Sequence, residues 1–246
     1  MIEIEHLSKL YGKFCAVNDV SLQVKAGEIF GFLGVNGAGK TTTLRMLTGV
    51  LRPTSGTIRL GGYDMTSEPE KAKTITGFIP DRPYLYNKLT GREYLYFVAD
   101  LHEVDPKNLD AKVDALLKQY GLLDWQDELI EGFSHGMKQR LAMCAALVHE
   151  PKILIVDEPM VGLDPHGAKL LKTSFREYAS SGMAILLSTH SLNVAEELCD
   201  RLAIIHKGSV LAVGTLEDMR QRAGGVNQRL EEIFLQLTWT EEEVVA

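Results

Sequence analysis

The sequence predicts an α/β protein with a parallel-sheet core, an antiparallel β front and an inserted all-helical lobe. Three observations predict it. The opening alternates apolar and polar residues (Ile2, Ile4, then Val20, Leu22, Val24), the pattern of half-buried antiparallel strands. Three short apolar runs, Glu28–Leu33, Ile153–Val156 and Ala184–Ser188, have the length and continuity of strands buried on both faces. Between the first and second of these runs, residues 90–149 carry helical spacing.

Taken in order, Glu28–Leu33 passes through a glycine-rich turn into a helix over Lys40–Leu51. Thr57–Leu60, ahead of Gly61-Gly62, and Thr74–Ile79, stopped by Pro80, read as further short strands. In the middle third, Tyr94, Phe97, Val98 and Leu101, and then Val113, Leu116, Leu117 and Tyr120, fall on helical faces, with Gly121 as a stop signal. After Pro151 the β/α alternation returns as strand Ile153–Val156, helix Lys169–Tyr178 and strand Ala184–Ser188. Arg201–His206 and Ser209–Val213, joined by Lys207-Gly208, form a closing hairpin, and Leu216–Arg222 a short helix. Gly224-Gly225 marks a break. The stripe Leu230, Ile233, Phe234, Leu237 then precedes Glu241-Glu242-Glu243, read as a solvated acidic tail.

Composition bounds the function. A chain of 246 residues lies near the upper size of one hydrophobic core, and 45% apolar with 24% charged residues excludes a disordered or fibrous protein. No apolar run approaches the roughly 18 residues of a membrane-spanning helix. The start, Met1 to Glu5, lacks the basic-then-apolar pattern of a signal peptide, so a cytoplasmic chain is expected. With 26 Lys+Arg against 33 Asp+Glu, the net charge of −7 argues against a nucleic-acid binder working through bulk electrostatics. Cys15, Cys144 and Cys199 are odd in number and widely spaced, which fits small buried apolar groups rather than a disulfide framework or a zinc site.

Two motifs carry the chemistry. Gly34-Val35-Asn36-Gly37-Ala38-Gly39-Lys40-Thr41 fits GxxxxGK[ST] between an expected strand and an expected helix, the context of a P-loop. Its glycines let backbone N–H groups wrap phosphate oxygens at a helix N-terminus. Lys40 would reach the β and γ phosphates and the Thr41 hydroxyl would ligate Mg²⁺. Asp157 and Glu158 end a buried strand where open parallel sheets bind ligands, a Walker B pattern. Asp157 would hold Mg²⁺ and Glu158 would polarise the attacking water. Neighbouring strand residues point to opposite faces, so both acids can serve one site only if the strand bends there.

Phe133-Ser134-His135-Gly136-Met137-Lys138-Gln139-Arg140 resembles the LSGGQ signature of the ATP-binding cassette (ABC) proteins, a family that pairs it with a P-loop. The resemblance runs from the start of the chain to about Val213. It implies a RecA-like P-loop core with an antiparallel β subdomain and an inserted helical subdomain over about 84–150. The cassette would span 1–220, with a C-terminal helix and acidic tail over 221–246. It implies ATP held by Asn36, Gly37, Ala38, Gly39, Lys40, Thr41 and Thr42, with Tyr11 stacking on adenine beside Val17 as a second wall. His190, in Ser188-Thr189-His190, would contact the γ phosphate, and Val161-Gly-Leu-Asp164-Pro165 resembles the D-loop. Ser134 and Gly136 would meet the γ phosphate held by the P-loop of a second cassette, in a homodimer or with a sister subunit.

One position departs from the family. Gly77-Phe-Ile-Pro80-Asp81-Arg82 aligns with the Q-loop, where the usual residue is Gln and this chain has Asp81. Its carboxylate is either a Mg²⁺ ligand and γ-phosphate sensor or a solvated loop acid. The implied function is the ATP-hydrolysing subunit of an exporter-type ABC transporter, which drives a separate integral membrane permease from the inner face of the membrane. A soluble ABC ATPase of translation or DNA repair is the alternative. The segment Val226–Thr238 either resembles the C-terminal end of exporter-type cassettes or is an ordinary amphipathic helix.

Overall fold

The computed structural model describes residues 1–222 and 229–238, so Gly224-Gly225 and Glu241–Glu243 lie outside the described residues. The chain opens with strands β1 (Ile2–Tyr11) and β2 (Phe14–Val24), then β3 (Ile29–Leu33) and helix α1 (Lys40–Leu47). Next come β4 (Ser55–Leu60), β5 (Tyr63–Asp64), α2 (Pro69–Thr74) and β6 (Thr76–Ile79). Helices α3 (Gly91–Leu101), α4 (Leu109–Gln119) and α5 (His135–Leu147) fill the connection from β6 to β7 (Ile153–Asp157). The rest is α6 (Pro165–Ser180), β8 (Ala184–Thr189), α7 (Leu192–Leu198), β9 (Arg201–His206), β10 (Ser209–Gly214), α8 (Leu216–Arg222) and α9 (Leu230–Thr238).

Two sheets result. The front sheet, in the order β2-β1-β4-β5, is antiparallel throughout. The main sheet, β10-β9-β3-β8-β7-β6, is parallel except for the edge strand β10. Every residue of β3, β7 and β8 is buried, which is why these strands read as continuous apolar runs rather than alternating ones. Successive residues feed two separate cores. Ile29 and Leu33 belong to the core that includes α6 and α7 as well as the helical lobe, whereas Phe30 and Phe32 belong to the core of α1 and the front sheet.

Caps explain where helix boundaries differ from the expected ones. The signature helix begins at His135 because the Ser134 hydroxyl just before it accepts from Met137 N. Helix α6 begins at Pro165, not Lys169. Asp164 caps it through Gly167 N at 2.7 Å, and proline suits a first helical turn. Helix α1 stops at Leu47 because Gly49, at φ 72°, turns the chain away.

Helix α3 departs from the expected burial pattern. The buried face is Gly91, Leu95 and Ala99, while Phe97 and Leu101 of the expected apolar face stay exposed. The helix is apolar on two sides, and only one side meets α5. In α4 the expected Val113, Leu116, Leu117 and Tyr120 are all buried. Leu230, Ile233 and Phe234 of the last stripe are buried in the same core as α7, and Leu230 N donates to Glu196, but Leu237 stays exposed. Cys144 and Cys199 are buried and Cys15 is half-buried, all as free thiols.

A groove separates the helical lobe from the sheet, with a cavity of about 310 Å³ lined by Phe78, Pro83, Tyr84, Tyr94, His102 and His149 among others. In it the imidazoles of His102 and His149 stack at 3.8 Å, tilted by 11°. His149 Nε2 lies 3.3 Å from the Thr76 carbonyl oxygen. Burial, followed by the neighbouring His102, pushes His149 down to about 4, and Lys112 acts in the same direction. An unfolded histidine titrates near 6.5, so between about pH 6.5 and 4 the unfolded chain binds a proton that the folded chain refuses. Stability therefore falls on acidification through that window. His149→Phe should flatten this acid limb, read as a smaller difference in urea midpoint between pH 7 and pH 5 than the wild-type chain shows.

Candidate functional site

The loop Gly34–Gly39 joins β3 to α1 and delivers the helix N-terminus to the C-terminal edge of the main sheet. Gly39 precedes α1 at φ 108°, and a Cβ there would fall 2.6 Å from the Ala16 carbonyl oxygen, so only glycine fits. The closing hairpin holds the loop from below. Gly208 N donates to Ala38 O at 2.9 Å, and Gly208 O accepts from Asn18 N at 2.8 Å, so one glycine ties the loop to β2. Lys40 is buried. Its ammonium donates to the Gly34 and Val35 carbonyls at 2.7 and 3.3 Å and lies 3.4 Å from Glu158 Oε1.

Asp157 is the last residue of β7. Its carboxylate accepts from Thr41 Oγ1 at 2.9 Å and, on the other oxygen, from the Ser188 hydroxyl. Burial holds its carboxyl above the usual range and is opposed by those two hydroxyls. The nearby charges of Asp81 and Glu158 push it further up. Glu158 resolves the question of the paired acids. Its backbone is left-handed, φ 48°, a strained conformation for a side chain of this size. The strand thus breaks at the second acid and Glu158 turns back to the same side as Asp157. There Oε1 lies 2.9 Å from His190 Nδ1, and Oε2 accepts from His190 N at 3.4 Å.

A cavity of about 350 Å³ is lined by Asn36, Gly37, Gly39, Lys40, Thr41 and Thr42 at one end and by Tyr11, Phe14 and Ala16 at the other, with Asp81 and Glu158 at its side. Tyr11 is half exposed and pairs across the β1–β2 turn with Phe14, which is 65% exposed. Lys9 Nζ sits 5.3 Å from the Tyr11 ring centroid. Val17, expected as the second wall, does not line this cavity. It is fully buried in the core beneath the front sheet, because the strand alternation that exposes Phe14 and Ala16 to the cavity turns Val17 inward. Ala38 is likewise buried and its N–H bonds to Val35 O, so it supports the loop from within. Phe14 lines the cavity without having been expected there from sequence. Its signal was an aromatic residue directly across a tight turn from Tyr11.

Ser134 and Gly136 do not line this cavity. Their neighbours His135 and Lys138 line an adjoining one of about 550 Å³ with Asn36, Asp81, Glu158, Val161 and His190. Thr41, Asp157 and Asp81 offer hard oxygen donors with surplus negative charge, a set that fits a small divalent cation. Lys40 and the loop amides suit a polyphosphate, and the aromatic end suits a flat base.

Anchoring a triphosphate beside a bent pair of acids is what P-loop nucleotide hydrolases do, and this chain has the fold and site of that class. Residues 17–161 match the family described as ABC transporter. The chain belongs to that family, with a RecA-like core, and it is an ATP-binding, ATP-hydrolysing subunit. Among curated proteins it is similar to the linearmycin resistance ATP-binding protein LnrL of Bacillus subtilis, 38% identical over 225 residues, or 92% of this chain and 72% of that one. Among solved structures it is similar to an ATP-binding subunit of an ABC transporter, with TM-score 0.92, 35% identity, and 96% and 99% of the two chains covered. A second is cbiO1 of Clostridium perfringens, described as part of the ABC transporter complex cbiONQ, with TM-score 0.77, 28% identity, and 96% and 97% covered. No described helix is long and apolar enough to cross a membrane.

Proposed function

We propose that two copies of this chain pair head to tail around two ATP molecules, and that closing and reopening of the pair drives an export permease at the inner face of the cell membrane. The observation that carries the reading is the separation of Ser134 and Gly136 from the chain's own P-loop cavity. Ser134 is exposed at the head of α5, where a hydroxyl, amides and a helix dipole can meet an anion supplied by another chain. The drug-resistance name of LnrL supports the export direction, and the complex named for cbiO1 supports a multi-component assembly.

In each site Lys40 trades the Gly34 and Val35 carbonyls for phosphate oxygens, and the loop amides hold the phosphates in place. Tyr11 and Phe14 pack against the base. Glu158 accepts the proton of the attacking water while His190 orients its carboxylate and reaches the γ phosphate. Thr41, Asp157 and Asp81 would hold Mg²⁺, which would supply charge neutralisation on the phosphates. The groove lined by Phe78, Tyr84 and His149 is the docking face for the permease.

Glu158→Gln tests the pairing. It keeps the shape of the side chain but not the base, so turnover should drop at least about 100-fold. The variant should run as a dimer on size exclusion with ATP and as a monomer without it. Asp81→Ala should raise the Mg²⁺ concentration needed for half-maximal ATPase severalfold, and an unchanged requirement removes Asp81 from the metal site. Affinity-tagged chain purified from detergent-solubilised membranes should bring down a polytopic membrane protein, whereas recovery of ribosomes or DNA instead would discard the permease.

A further inference from the structure

Glu158 faces two spaces. Together with Asn36 and Asp81 it lines both the nucleotide cavity of about 350 Å³ and the adjoining cavity of about 550 Å³. Neither Lys40 nor Thr41 lines the larger one, and no phenyl, phenol or indole ring does, so it offers nothing to a base or to the triphosphate chain. It offers cations instead. Arg82, exposed, and Lys138, half-buried, both line it. Neither side chain has an ion pair or hydrogen bond among the described residues, whereas Glu158 already has Lys40 at 3.4 Å and His190 at 2.9 Å.

The reaction leaves its product facing this space. Phosphoryl transfer runs in line, so the water attacks from the side of the phosphorus opposite the leaving ADP oxygen, and Glu158 as the base marks that side. The water oxygen bonds to the γ phosphorus, the bond to the bridging oxygen breaks with its electron pair going to ADP, and a water proton passes to Glu158. The acid is then neutral. ADP and phosphate, both anions, repel each other, and the way out past Glu158 is the cavity it shares with Arg82 and Lys138.

We infer that the larger cavity is a binding site for the inorganic phosphate released by hydrolysis, a tetrahedral oxyanion held by Arg82 and Lys138 before it reaches solvent. A guanidinium can take two of its oxygens side by side, and an ammonium a third as a point charge. This inference rests on the placement of the γ phosphate between Lys40 and Glu158 proposed above.

Calorimetric titration of inorganic phosphate into the full chain saturated with ADP tests it, because the nucleotide keeps phosphate out of the P-loop. Wild type should bind phosphate. Arg82→Gln and Lys138→Gln should each weaken that binding about tenfold, the usual loss for one charge-assisted hydrogen bond, with ADP affinity unchanged. Arg82→Lys, which keeps the charge but not the fork, should recover part of it. Light scattering on the same samples fixes the source. Uptake by monomers assigns the cations to the chain's own product, whereas uptake by dimers alone assigns them to the partner's nucleotide and overturns the inference. It is also overturned by an ADP-loaded chain that takes up no phosphate, by variants that bind it as wild type does, or by variants that lose ADP along with it. Lys40→Ala tells the two failures apart. If that variant keeps ADP, the nucleotide placement and the phosphate site fall together; if it loses ADP while Arg82→Gln and Lys138→Gln bind phosphate normally, the phosphate site alone falls.

Discussion

A buried positive charge organises this molecule. Lys40 is 6% exposed, and an ammonium removed from water is tolerated only where acceptors replace the lost hydration. The Gly34 and Val35 carbonyls and the Glu158 carboxylate do so, and each is brought there by a different feature: the turn after β3, and the left-handed break at the end of β7. The charge thus binds two strands of the sheet to one point. All three contacts are made by oxygen atoms, two of them neutral carbonyls and one a carboxylate.

Much of this was legible in the sequence, for identifiable reasons. Strands buried on both faces announce themselves as apolar runs, and β3, β7 and β8 were placed within a residue or two of their observed ends. The P-loop and the acid pair depend on local backbone chemistry, so their residue types are diagnostic. What escaped depends on tertiary context. Nothing in the spacing of α3 tells which of its two apolar sides meets α5, so Phe97 and Leu101 were assigned inward and lie outside. Phe14 lines the cavity and Val17 does not, because the register of β2 over the cavity is set by its pairing with β1. The bend at Glu158 is a backbone property, and no side-chain pattern foretold it. The helix α7, Leu192–Leu198, has no counterpart in the sequence pattern, where two turns with Val194, Ala195 and Leu198 buried show little periodicity.

The helical lobe links these levels. It is tied to the sheet through one core that α3, α4 and α5 share with α6 and α7, yet it leaves a groove where Tyr84 stands 92% exposed. Two stacked histidines in the groove are both shifted toward the neutral form by burial. The same lobe carries Ser134 and His135 at its other end. A body pressed at the groove would move the signature end with it, because α5 runs from one to the other: Ala142, Ala145 and Ala146 line the groove and Ser134 caps the helix.

The tie at Gly208 has a consequence for how the protein comes into being. The phosphate-binding loop is made early in synthesis, but its attachment to the front sheet runs through a glycine near the far end of the chain. A nascent polypeptide emerging from the ribosome can pair β1 with β2 and form α1 long before the loop between β3 and α1 is secured. Nucleotide affinity should therefore arrive late and abruptly, when the β9–β10 turn clears the exit tunnel, so that a chain halted short of that turn has its binding motif complete but unsupported.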